Sequence, residues 1–146
     1  TEPSVKWLNI SKLLSSVFGW EDAIVSITNN DELLAASRAA KDKLPILYKK
    51  FSEGLEPGEF IQVKAPFETP DSSKEYMWVE VTNWDGTKIR GILKNEPFNI
   101  PSLHAGQLIE VKQKDVFDYF IQHPDGSQEG NETSVIIQKM QQTNGQ

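Results

Sequence analysis

Residues 76–95, "YMWVEVTNWDGTKIRGILKN", constrain the fold more than any other stretch. Met77, Val79 and Val81 fall on one side of an extended chain, and Tyr76, Trp78, Glu80 and Thr82 on the other. That alternation predicts a strand with one buried face and one half-solvated face. Asp85-Gly86 can take the positive φ angles of a type I′ turn, and "KIRGILKN" then returns as a second strand. Gly91, in the middle of the return strand, predicts a bulge or a close approach of backbones. The ribbon reads as the centre of a bent antiparallel sheet.

The segments on either side show a different period. In residues 5–18, Trp7, Ile10, Leu14 and Val17 recur at helical spacing, Leu13 and Phe18 widen the stripe, and Gly19 marks a stop. "AIVSIT" (23–28) is short and β-branched, which suits a strand. Asn30 is placed to cap a following Ala-rich helix, with Asp31 and Glu32 where the helix dipole favours acids. Pro45 either kinks that helix or opens a second one, and Gly54 ends it. Beyond Gly54 the pattern turns to strands at 59–67, 76–84, 88–95, 107–112 and 116–122. "HPDGSQEGN" is a turn-rich loop, and "ETSVIIQKMQQ" is a closing helix. Helices at the two ends and strands between them indicate an α+β domain. The expected architecture is a bent, mostly antiparallel sheet, with a partial barrel as its alternative form. N-terminal helices and a C-terminal helix are expected to pack on one side.

Composition narrows the function. The chain of 146 residues suits a single domain, 38% apolar and 25% charged, as in soluble globular proteins. Thr1 rather than Met stands first, as in a processed or trimmed chain. No run approaches the roughly 20 apolar residues of a membrane helix. Cysteine is absent, which excludes disulfides, thiol catalysis and thiolate metal sites and fits either redox compartment. The formal charge of −6 disfavours non-specific nucleic-acid binding. A basic stripe through Lys64, Lys88, Arg90 and Lys94 would be needed to restore it.

From about Asn30 to Gln142 the chain resembles a known bacterial family. In order come "FIQVKAPF", "EYMWVEV", "IRGILKNEP", "LHAGQLIEV", "VFDYF" and "DGSQEGNET", with family elements on Lys64, Trp78, Gly91, Asn95, Gly106, Asp118 and Tyr119. This is similar to the YegJ-type domain, an uncharacterised conserved bacterial family. Two positions depart from its pattern. Gln107 follows Gly106 where the family often has Asp, and Tyr119 follows Asp118 where it often has Trp. Residues 1–20 lie outside the resemblance as a helical extension. The resemblance implies a fold but no reaction and no cofactor.

The residue types that carry chemistry are sparse. Asp118 is the first suspect among the acids for acid–base work, with His104 and His123, the only two histidines, as possible partners. Asp125, Ser127, Glu129 and Asn131 place oxygens at alternate positions, an incomplete echo of a calcium loop. The twelfth position is Ile136 instead of a bidentate Glu. A turn leading into a helix N-terminus explains the same residues. No serine-nucleophile elbow and no phosphate-binding glycine loop occurs. Trp84, Phe98, Trp78 and Tyr119 supply binding-surface aromatics, with Trp84 expected to be partly exposed beside the turn. These features favour a non-catalytic protein-interaction module whose acidic surface would suit a basic protein partner. The alternative is a small metal-dependent or hydrolase-like enzyme using Asp118, His104 and His123.

Overall fold

The computed structural model describes residues 31–144. The expected helix at 5–18, its Gly19 stop, the strand at 23–28 and the Asn30 cap lie outside the described residues. The described chain runs α1 (Asp31–Asp42), α2 (Leu44–Glu53), β1 (Phe60–Glu68), β2 (Lys74–Asp85), β3 (Lys88–Leu93), β4 (Leu108–Lys112), a 3-10 turn (Gln113–Asp115), β5 (Asp118–Gln122), β6 (Gln128–Gly130) and α3 (Glu132–Asn144). The strands form one six-stranded antiparallel sheet in the order β4-β3-β2-β1-β5-β6. The sheet is open, so the α+β class holds and the partial-barrel alternative does not. Pro45 opens a second helix: it occupies the first turn of α2, where a missing N–H costs nothing.

The central hairpin differs from the sequence expectation in its turn. Asp85 pairs with Lys88, so the two-residue loop is Gly86–Thr87 rather than Asp85-Gly86. Gly86 has φ +60°, and neither Asp85 nor Thr87 has a positive φ. A positive φ at the first loop position alone is the pattern of a type II′ turn, which demands glycine there. Gly91 meets its expectation. It pairs with Val81 beside a register shift between Val81 and Asn83, and a Cβ on it would lie 2.0 Å from the Glu80 carbonyl oxygen.

Alternation sorts the side chains onto two faces, and helices cover both. On the first face Ile61, Val63, Met77, Val79, Ile89, Leu93, Tyr119 and Ile121 pack with Ala40 of α1 and with Leu44 and Leu47 of α2. On the second face Tyr76 packs with Leu33 of α1, Phe117, and Ile136 and Ile137 of α3. The expectation of helices on one side is corrected. The second face carries Lys64 and Trp78, at 0% and 3% exposure, and the start of α3 lies over Lys64. The turn-rich loop at 123–131 also contains a strand, because β6 pairs Phe120 with Gly130 and Gln122 with Gln128.

Candidate functional site

Lys64 and Asp118 are cross-strand partners on β1 and β5, and both point to the face that α3 covers. A bare ammonium and a bare carboxylate could not be buried there, so the start of α3 supplies partners for each. Lys64 Nζ donates to Thr133 Oγ1 at 3.0 Å and to Ser134 Oγ at 3.2 Å. It also lies 5.1 Å from the centre of the Trp78 ring, a cation–π contact. Asp118 accepts from the Tyr119 N–H at 2.7 Å and the Thr133 N–H at 3.1 Å, and the Thr133 hydroxyl also donates to it. The Thr133 hydroxyl therefore links ammonium to carboxylate. Burial pulls the Lys64 ammonium down to about 8, against the attraction of Asp118. Burial raises the Asp118 carboxyl, against Lys64 and the Thr133 hydroxyl. Both shifts follow from burial of charge.

Lys64 does not belong to a basic stripe, contrary to the arrangement that nucleic-acid binding would need. It is fully buried, while Arg90 pairs with Glu110 at 3.1 Å and Lys94 with Glu80 at 3.3 Å. Lys64, Thr133 and Ser134 were not suspected as a set from the sequence. A lysine flanked by Val63 and Ala65 in a central strand is the one local signal that could have marked them. A narrow cleft of about 140 Å³, bounded by Ala36, Ala39, Lys43, Asp118, Tyr119 and Glu132 among others, reaches the Asp118 end of the pair.

The two histidines do not join Asp118. His104 is exposed and pairs with Glu96 at 3.1 Å in the loop after β3. His123 follows β5, five residues from Asp118, which at about 3.3 Å per residue is roughly 16 Å along the strand. There it lies 3.9 Å from Glu59 and 3.8 Å from Glu129. Tyr119 donates to Glu129 at 3.1 Å, and burial pushes its hydroxyl up to about 12. Among the described residues, no three carboxylate or imidazole groups come together as metal ligands do. Asp125 accepts from the N–H and hydroxyl of Ser127 at 2.9 and 2.7 Å, which closes the β5–β6 turn. Asn131, φ +62°, donates its N–H to the Tyr119 carbonyl and leads into α3.

The aromatic residues also divide. Trp84 is buried rather than partly exposed, because its ring meets Tyr48 of α2 edge-on at 5.6 Å and its Nε1–H donates to Gln113 Oε1 at 3.0 Å. Trp78 packs edge-on against Phe120 at 5.1 Å, and Tyr119 is buried. Phe98 is exposed, on a loop held by the buried Glu75 carboxylate, which accepts from the N–H groups of Phe98 and Asn99.

A wider cleft of about 520 Å³ opens on another part of the molecule. It is lined by Lys41, Leu44, Thr87, Lys88, Lys112, Gln113 and Lys114. These residues come from the end of α1, the start of α2, the β2–β3 turn and the end of β4. Gln113 fixes one wall: its N–H donates to the Thr87 carbonyl at 2.8 Å, and its side chain accepts from Trp84. Trp84 thus supports this wall from behind.

Comparison with known proteins places the chain in a family and adds no reaction. No curated protein and no solved structure matches it. One family model does, over residues 30–146, under a description that does not carry the YegJ-type label expected from the motifs. By that match the chain belongs to the bacterial family described as an uncharacterised protein conserved in bacteria, DUF2314.

Proposed function

We propose that this domain is a non-catalytic protein-interaction module. The observation that carries the reading is the commitment of its reactive side chains to structure. Lys64, Asp118, Thr133 and Ser134 are each at most 1% exposed and bond to one another. An enzyme needs acid, base and substrate to meet in a concave site. Among the described residues, the 520 Å³ cleft is lined by lysines, a leucine, a threonine and a glutamine, with neither histidine nor carboxylate. The alternative enzyme built on Asp118 loses its bases, since His104 and His123 pair with glutamates elsewhere.

Site-specific photocrosslinking in the native cell tests the reading. Benzoylphenylalanine is placed singly at Thr87, Ser102 and Val135, all exposed and on separate elements. A discrete protein adduct from at least one position is expected. No adduct from any position, together with turnover of a small molecule that is lost in D118N, would overturn it.

A further inference from the structure

We propose that the lysine-lined cleft between α2 and the β2–β3 turn is the docking groove for an acidic segment of a protein partner. The proposal rests on the interaction-module reading and specifies the surface and the partner's chemistry. Four lysines, Lys41, Lys88, Lys112 and Lys114, line this cleft in a chain of net charge −6. Several other surface cations sit in ion pairs, Lys49 with Glu53, Lys50 with Glu59, Arg90 with Glu110 and Lys94 with Glu80, whereas Arg38, Lys43 and Lys74 are exposed singly on other parts of the surface. Among the described residues no ion pair engages the four groove lysines.

The register sharpens the point. Lys88 stands directly opposite Lys112 on neighbouring strands, and like charges so placed destabilise a sheet. The same two strands pair Arg90 with Glu110 favourably two residues further on. Both lysines are exposed, so nothing in the packing requires the repulsive pair. An anion seated between them would relieve it. Acids are nearby but leave the lysines unbridged: Asp85 opposes Lys88 on its other side, and Asp42 and Asp115 adjoin Lys41 and Lys114 in sequence. The Gln113 bonds pre-shape the wall, so little ordering is needed on binding. The lysine stems offer apolar contact to a side chain between the partner's carboxylates.

A peptide fits these features better than a nucleic acid. Among the described residues, no aromatic ring or arginine lines the cleft for base stacking or bidentate phosphate contact. Beyond it Arg90 and Lys94 are tied to glutamates, so no basic track continues along the sheet. The remaining net negative charge opposes a long polyanion.

The test uses the whole chain and fluorescence anisotropy. The probe is a short labelled peptide of Glu, Asp and Leu. A lysine-rich peptide and a single-stranded oligonucleotide of matched charge serve as comparators. The acidic peptide should bind, and binding should weaken with salt. K88E/K112E should weaken it about tenfold or more, whereas K74E, outside the groove, should leave it unchanged. K112E alone should melt at or above the parent, because it replaces repulsion of Lys88 with attraction, so its loss of binding is not unfolding. Unchanged binding by K88E/K112E, no binding of the acidic peptide at low salt, or tighter binding of the oligonucleotide would each overturn the proposal. Crosslinks from Ser102 or Val135 with none from Thr87 would overturn this groove while leaving the interaction-module reading intact.

Discussion

Replacing Lys64 by methionine removes a charge without opening a large cavity. In the parent the ammonium is fully buried and donates to Thr133 and Ser134. In K64M the Asp118 carboxylate stays buried, still holding the N–H groups of Tyr119 and Thr133 and the Thr133 hydroxyl. It has lost the positive charge that offsets its desolvation. Breaking a buried charge pair in this way costs about 3–5 kcal/mol. The three retained hydrogen bonds argue for the lower end, about 3 kcal/mol. Removing the second charge as well, in K64M/D118N, leaves no uncompensated ion, so the double variant should recover most of that loss. Urea unfolding followed by tryptophan fluorescence measures all four corners of the cycle. If K64M lies within about 0.5 kcal/mol of the parent, or if the two single losses simply add, Lys64 and Asp118 are not coupled.

The same variant isolates a pH effect with a definite sign. Lys64 falls from the ordinary 10.5 to about 8 in the folded chain because burial disfavours its charge. Between those values the unfolded chain holds a proton that the folded chain has released. Stability from this group therefore rises as pH climbs through that window and is lost as pH falls through about 8. The full swing is at most roughly 3 kcal/mol. Asp118 acts in the opposite sense. Its raised carboxyl favours the protonated folded form, a contribution present below its ordinary 3.8 and lost as pH rises through the folded value. Subtracting K64M from the parent cancels the other lysines. A difference that stays flat above pH 8 would remove burial as the cause of the Lys64 shift.

Three further outcomes follow from the packing. G91A should cost more than about 3 kcal/mol, since its Cβ would sit 2.0 Å from the Glu80 oxygen; an unchanged melting temperature would contradict the β2–β3 geometry. E75Q turns one buried acceptor into a donor facing the Phe98 or Asn99 N–H and should cost about 1–3 kcal/mol. Amide exchange at those two residues should accelerate, and unaltered exchange would show that Glu75 does not hold the loop. W84F deletes the bond to Gln113 for about 1 kcal/mol and should weaken acidic-peptide binding by loosening the groove wall, both readable by thermal melting and anisotropy.

Much of the sheet was legible because period-two alternation is local. Met77, Val79 and Val81 are all buried as their spacing predicts, and Gly91 marks a real close approach. Features set by distant partners were less legible. β6 spans only Gln128–Gly130 and ends in glycine, so it carries no alternation to read. The placement of helices on both faces was hidden by Lys64, which by residue type belongs in water. Its burial depends on Asp118 in β5 and on Thr133 and Ser134 in α3, whose approach no local window reveals. Trp84 misled for the same reason: its position beside a turn suggests exposure, but Tyr48 and Gln113 arrive from other segments to enclose it.

The groove shows how a net acidic charge can coexist with a locally basic surface. Taken along the chain, Lys41, Lys88 and Lys114 each have an acid close by, at Asp42, Asp85 and Asp115, so every local window averages towards neutral. Strand register undoes the averaging by setting Lys88 against Lys112, and the chain path then brings Lys41 and Lys114 to the same cleft. Charges beyond about 8 Å are largely screened at physiological salt, so a ligand at the cleft responds to these four lysines and to the adjoining Asp42, Asp85 and Asp115 more than to the total of −6. An acidic total suits a basic partner, whereas the proposed groove suits an acidic segment. Salt should therefore weaken acidic-peptide binding even though the protein and the peptide both carry net negative charge. If added salt strengthened binding instead, whole-chain repulsion would outweigh the groove, and the local-field argument would fail.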